Sequence, residues 1–330
     1  MSRLRLSRRG GQASASRVSL TNRERLGISM PRAPYGDTAD DFSTAISATS
    51  AGFIRADFAG SVIRPSSSTW NWSLADTVVE RAIASGVKVL AQCTYCHDWM
   101  NGGHSNDKFP PTTPNFSNYA AIAAEVESRY GSNLIGIETW NEPWLTSDAV
   151  NGAFWLPEME PDRFLALSIA QAEAVWAINP NRDIAVSLDY WGQGVNNGQR
   201  FDSAVVSYDT TDFLLDPRVV LTVHNYCQNS APQDVRSLGW SFDRWKLART
   251  AAGNQRVWVT EYGWSTPGDA TEAEQATYIA DGINMMLDDG VERMVVFTVS
   301  QASDTTGYNL RRPNGTWRPA AAAFKAIAEL

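Results

Sequence analysis

The chain has 330 residues, 43% of them hydrophobic, and a formal charge of −8. That length and composition support one large core, and the acidic balance argues against a nucleic-acid partner. The charge is uneven: residues 1–25 hold seven arginines (Arg3, Arg5, Arg8, Arg9, Arg17, Arg23, Arg25) against Glu24, which leaves the rest with 21 basic and 35 acidic residues, a net of −14.

In chain order, residues 1–23 read as a basic, disordered, solvated arm. Ser7-Arg8-Arg9-Gly10 looks like a twin-arginine signal, but the following residues 11–17 are small and polar. A secretory signal needs an apolar stretch of about 7–15 residues, and no run reaches the ~18 apolar residues of a membrane span. The expectation is a soluble chain without membrane insertion, whose location and route of export are not written in the sequence.

Strand-like runs follow at 26–30, 53–58, 87–93, 134–140, 183–189, 219–226, 256–261 and 293–299. They are short, apolar and often β-branched, as strands covered on both faces should be. Helical spacing falls between them, at 37–49, 74–84, 118–130, 162–178, 234–251 and 271–287. Gly86, Gly131, Asn179-Pro180, Gly253 and Gly290 stand where helix stops belong. Alternation of this kind predicts a parallel sheet with helices outside, and eight strands close a (β/α)8 barrel. The alternative, an open doubly wound sheet, lacks a Gly-x-Gly-x-x-Gly after its first strand. One domain is expected over residues 24–330.

In such a barrel the carboxyl ends of the strands carry the site. There the sequence places Arg55 and Asp57, then Cys96, His97 and Trp99, then Asn141 and Glu142, then Asp189, Tyr190 and Trp191, then His224, Asn225 and Tyr226, then Glu261, and finally Ser300, Gln301 and Asp304. Two of these stand out. Glu142 follows the strand-like run 134–140 in Trp140-Asn141-Glu142-Pro143, and Glu261 ends 256–261. Two carboxylates facing one pocket are the groups that glycosidic hydrolysis needs: one protonates the leaving oxygen and the other attacks or stabilises the anomeric carbon. Glu138 shares strand parity with Glu142 and reads instead as a buried structural acid paired to Arg55. The 13 tryptophans suit a sugar cleft, since indoles stack on pyranose faces.

Cys93-Thr94-Tyr95-Cys96-His97 matches the spacing of covalent haem attachment, and with His97 it supplies only three of four zinc ligands. With Cys227 it makes three cysteines, which read as buried free thiols. Neither a metal nor another cofactor is expected.

Asn141-Glu142-Pro143 on the fourth strand, Glu261 on the seventh and His224-x-Tyr226 between them resemble the signature of clan A glycoside hydrolases. Within the clan the chain looks most similar to family 39-like enzymes and less to families 5 and 51. The closing stretch, Gly307 to Asn309 and Asn314 to Pro319, resembles the hairpin before the last helix of such barrels. The resemblance implies a retaining glycosidase acting on O-glycosidic bonds of a poly- or oligosaccharide. It implies Glu142 as acid/base, Glu261 as nucleophile, Asn141 at the sugar 2-hydroxyl, Arg55 beside Glu261, and His224 and Tyr226 as orienting groups. Trp99, Trp144, Tyr190, Trp191 and Trp264 are further candidates for sugar contact. One departure is the end of the eighth strand, where many clan members carry a tryptophan and this chain has Phe297-Thr298. A catalytically silent carbohydrate-binding barrel, used as an adaptor, is the alternative.

Overall fold

The computed structural model describes residues 19–31, 39–147, 153–189, 201–227, 230–235, 242–253, 256–299 and 307–330. Eight parallel strands close a barrel in sequence order. They are β1 (Leu26–Ser29), β2 (Phe53–Ala59), β3 (Lys88–Thr94), β4 (Leu134–Thr139), β5 (Ile184–Ser187), β6 (Val219–His224), β7 (Arg256–Tyr262) and β8 (Arg293–Val296). Each lies within a few residues of its predicted run, because a strand buried on both faces leaves an uninterrupted apolar stretch.

The outer helices include Ala39–Thr49, Ser73–Ala84, Phe116–Tyr130, Pro161–Trp176, Phe201–Tyr208, Arg244–Ala251, Glu272–Asp288 and Pro319–Ala328. Thr271 starts one of them with a capping box: its side chain accepts from the Glu274 N–H while Glu274 reaches back to the Thr271 N–H. Two differences from the sequence reading stand out. The helix expected at 234–251 begins only at Arg244, with Pro232–Val235 forming a separate 3₁₀ turn. Phe201–Tyr208 was not foreseen; its eight residues include adjacent valines and two serines, which weaken helical patterning. At the other end Asn22–Arg25 is helical, capped by Thr21, so the last residues of the expected arm join the fold. No helix among the described residues is long and apolar enough to cross a membrane.

The barrel interior is layered. Phe53, Leu90, Ala185, Val220, Trp258 and Val295 form an apolar floor. Its two largest rings fix the residues opposite them. A Cβ on Gly27 would stand 2.4 Å from the Phe53 ring, and one on Gly136 would stand 3.0 Å from Trp258. Glycine is needed at both positions for space rather than for backbone freedom. Two residues further along the strands the same inward face carries Arg55, Gln92, Glu138, Ser187, Thr222 and Thr260. All six are buried. The site stands on that polar layer.

Candidate active site

Arg55 is the hub of the polar layer. Its Nε donates to Glu138 at 2.6 Å and its Nη1 to Glu261 at 2.7 Å. Its Nη2 reaches Asn141 Oδ1 at 3.3 Å and His224 Nε2 at 3.4 Å. Glu138 is completed by the Thr260 hydroxyl at 2.7 Å. It is therefore the buried structural acid that strand parity suggested, with both oxygens occupied. Burial alone would discourage the Arg55 charge, but Glu138 and Glu261 more than offset it and hold the guanidinium above its ordinary pKa.

Thr260 and Glu261 are consecutive, yet both engage groups inside the barrel. An ordinary strand would send them to opposite faces. The β6–β7 register shifts between Val223 and His224, so that His224 pairs with Glu261 rather than with Thr260. This bulge turns the nucleophile candidate into the site, a common use of the device beside active sites. At the end of β4 the backbone is bent instead: Trp140 and Glu142 have φ of 57° and 43°. Left-handed conformations in non-glycine residues cost about 1–3 kcal/mol each and gather where surrounding structure imposes them. Here Trp140 is pinned by Gln92, whose amide donates to its carbonyl at 3.1 Å, and by its own indole N–H, which donates to Phe154 O at 2.6 Å.

The two glutamates meet across His224. Its Nδ1 lies 2.8 Å from Glu142 Oε1 and 3.5 Å from Glu261 Oε2. With the Arg55 donor facing Nε2, the neutral ring carries its proton on Nδ1 and donates it to Glu142. Tyr226 donates to Glu261 Oε2 at 2.6 Å. Burial pushes the Glu261 carboxyl up, but the His224 and Arg55 charges and the bonds from Tyr226 and Arg55 outweigh it, leaving it below the ordinary carboxylate value. For His224, burial and Arg55 press downward, while Glu261 and Glu142 raise the imidazole above its ordinary value. The Glu142 side chain is 16% exposed, the most open of the three.

A carboxylate oxygen from each glutamate and a ring nitrogen of His224 all lie within 4.8 Å of one another. Such a trio has the spacing to hold a cation, but the Arg55 guanidinium already contacts Glu261 and its charge opposes an ion there. The same spacing suits double displacement. A retaining pair stands about 5–5.5 Å apart, whereas an inverting pair needs roughly 6.5–9.5 Å for a water.

Asn141, Arg55, His224 and Tyr226 thus surround the glutamates as expected. The tryptophans do not. Trp144 is 1% exposed and meets His224 edge-on at 5.5 Å. Trp264 is 0% exposed, with its N–H given to Ser230 O at 3.1 Å. Neither leaves a face for a sugar: the first packs the imidazole and the second fills the core behind β7. Trp99 is half-buried, with its N–H on Arg64 O at 3.0 Å and the Arg64 guanidinium over its ring. Tyr190, Trp191, Ser300, Gln301 and Asp304 lie outside the described residues. Cys93, Cys96 and Cys227 are buried free thiols, and burial pushes Cys93 and Cys227 each up to about 12.

Three contributors escaped sequence reasoning. Gln92 holds Asn141 Oδ1 at 2.9 Å; the signal was a lone amide in an apolar strand. Tyr95 stands beside Trp140, with ring centroids 5.9 Å apart, and carries Lys108 Nζ 3.4 Å over its ring. Lys108 sits in a loop and gave no signal.

The family model for Cellulase (glycosyl hydrolase family 5) matches residues 18–302. No curated relative matches the sequence significantly. Among solved structures, a family 39 glycoside hydrolase from Bacteroides cellulosilyticus superposes with a TM-score of 0.71 at 19% identity; the match covers 94% of this chain and 64% of that one. An endo-β-1,4-glucanase from Xanthomonas axonopodis pv. citri gives 0.64 at 13% identity, over 92% and 98% of the two chains. A broad-specificity endoglucanase from Clostridium acetobutylicum gives 0.63 at 14%, over 94% and 100%. At these identities the likeness speaks for the fold alone. The clan reading holds, with the family model falling on family 5 where the motifs leaned toward family 39. The chain belongs to glycosyl hydrolase family 5, the Cellulase family, and is a clan A (β/α)8 glycosidase acting on O-glycosyl bonds.

Proposed function

We propose that the protein hydrolyses β-linked bonds in a neutral polysaccharide by double displacement, with Glu261 as nucleophile and Glu142 as acid/base. The observation that carries the assignment is the unequal setting of the two carboxyls. Glu261 receives Arg55 and Tyr226 and is kept ionised. Glu142 has His224 as its one hydrogen-bonding side-chain partner among the described residues and stands more open to solvent. A nucleophile must be anionic, whereas an acid must gain and lose a proton in each cycle. Asn141, held by Gln92 and Arg55, is placed to meet the sugar 2-hydroxyl.

The substrate class rests on charge and on relatives. Arg55 is matched by Glu138 and Glu261, and Asp57 adds a carboxyl that burial pushes up to about 6, so an anionic sugar finds no surplus of cations. The family model is described as Cellulase, and two of the structural neighbours are endoglucanases. Phe297, which follows β8 and meets Tyr226 and Tyr308 edge-on at 6.4 and 6.0 Å, supports an aromatic floor beside Glu261 in place of the expected tryptophan.

The reading is tested with carboxymethylcellulose, mixed-linkage β-glucan, mannan and xylan, measuring reducing ends and following the first-formed anomer by proton NMR. The expected result is cleavage of at least one glucan or mannan with the β-anomer formed first. The α-anomer first would contradict double displacement. Binding without cleavage would favour the silent carbohydrate-binding barrel.

A further inference from the structure

Two buried charges beside the site have no part in the carboxylate chemistry above. Asp189, two residues beyond β5, is 1% exposed, and Arg244, at the start of the helix Arg244–Ala251, is 2% exposed. Burying an ionised side chain costs several kcal/mol unless partners repay it. No close ion pair joins the two among the described contacts, although the Arg244 charge favours the Asp189 carboxylate. Asp189 Oδ1 and Arg244 Nε each stand without a hydrogen-bond partner among the described residues.

Both are instead drawn to the backbone of one residue, on the two peptide groups that flank the His224 Cα. Asp189 Oδ2 accepts the His224 N–H at 3.2 Å. Arg244 Nη2 donates to the His224 carbonyl. This residue lies where the β6–β7 register shifts. Its neighbours keep backbone partners, with Leu188 N–H donating to Thr222 O at 2.8 Å and Asn225 N–H to Glu261 O at 2.8 Å. On the β5 side of His224, side chains stand in for the ladder that ends at Leu188 and Thr222.

We propose that Asp189 and Arg244 are positioning residues, a two-sided clamp that fixes the His224 backbone so that its imidazole bridges Glu142 and Glu261. The proposal deepens the catalytic reading and rests on it. The clamp aims a ring held on several sides: Nδ1 at 2.8 Å from Glu142, Nε2 at 3.4 Å from Arg55, and the Trp144 ring edge-on to it. A small rotation of the backbone at His224 would lose the first two together. Asp189 acts through its carboxylate, which burial pushes up to about 6 against the opposing pull of Arg244 and His224. Neither residue touches the place where a sugar bond would lie, so the loss should appear in kcat more than in KM.

The chain has only three histidines, His97, His104 and His224, so ¹⁵N-imidazole NMR of the full chain can follow His224, with H97Q and H104Q assigning the other two. Variants D189A and R244M break the clamp; D189N and R244K are conservative replacements. For the folded broken variants, the expected result is shifted or broadened His224 ring signals, unchanged His97 and His104 signals, and kcat lowered by up to about a hundredfold at similar KM. D189N and R244K should restore most of both. If D189A or R244M does not fold, D189S and R244Q take their place as the broken variants and should displace the His224 signals selectively. Unchanged His224 signals and titration in folded variants would overturn the proposal. An enzyme inactive on every glycan whose His224 signals still respond would sink the catalytic reading and leave the clamp standing.

Discussion

The floor and the polar layer of this barrel are built from the same strands, two residues apart, and obey different rules. On the floor, Phe53 and Trp258 fill the volume, and Gly27 and Gly136 yield to them. Shape decides there, and any apolar set of the right volume would serve. One layer up, Arg55 holds two carboxylates at 2.6 and 2.7 Å in buried surroundings. There partnership decides, because a buried charge that loses its partner costs more than the pair ever contributed. The comparison teaches that the layer most expensive to build is the one that carries the chemistry.

The contrast can be broken most severely at the glutamates. Glu261→Gln should lower kcat on the order of 10⁴–10⁶-fold, and Glu142→Gln by about 10²–10⁴-fold; the unfolding temperature should change little for Glu142→Gln and fall for Glu261→Gln, which takes one of its two carboxylates from Arg55. The Glu142 loss should shrink on substrates with good leaving groups, a difference that steady-state kinetics on paired aryl glycosides would measure.

Arg55→Met strikes the polar layer as structure. It leaves Glu138 and Glu261 buried together without their cation, so denaturant unfolding should show a loss of about 3–5 kcal/mol, along with loss of activity. Equal stability to wild type would mean that the ion pairs are not the frame of the site.

On the floor the expected effect is smaller and separable. Gly27→Ala forces a methyl into the Phe53 ring and should cost about 1–3 kcal/mol, with kcat per folded molecule unchanged. A large fall in kcat at full folding would show that the floor and the site are not independent.

The finest test concerns pH. The folded Glu261 pKa is lowered, so its contribution to stability is present above the ordinary carboxylate value of about 4.3 and is lost as pH falls through the lower folded value. Tyr226→Phe removes one hydrogen bond to the anion and lets burial push the pKa back up. The acid limb of kcat/KM should move upward by about one pH unit. A limb that stays in place would assign it to another group.

The barrel was legible because buried parallel strands announce themselves as apolar runs and because helix stops separate them. The glutamates were legible because each ends such a run. What could not be read was orientation. The bulge that turns Glu261 inward beside Thr260 leaves no mark in residue type. Trp144 and Trp264 were misread because an indole in a loop has the same letter whether it faces a sugar or fills a core. Arg244 was invisible because it comes from an outer helix and reaches the site through a backbone carbonyl twenty residues away in sequence.

The central claim is that Glu261 attacks the sugar while Glu142 handles the proton. The most direct measurement is trapping with 2-deoxy-2-fluoro glycosides bearing good leaving groups, followed by intact mass and peptide mapping. The account predicts one covalent sugar on Glu261 and none in Glu261→Gln. An adduct on Glu142, or steady turnover of the polysaccharide with an inverted anomer and no adduct, would contradict it.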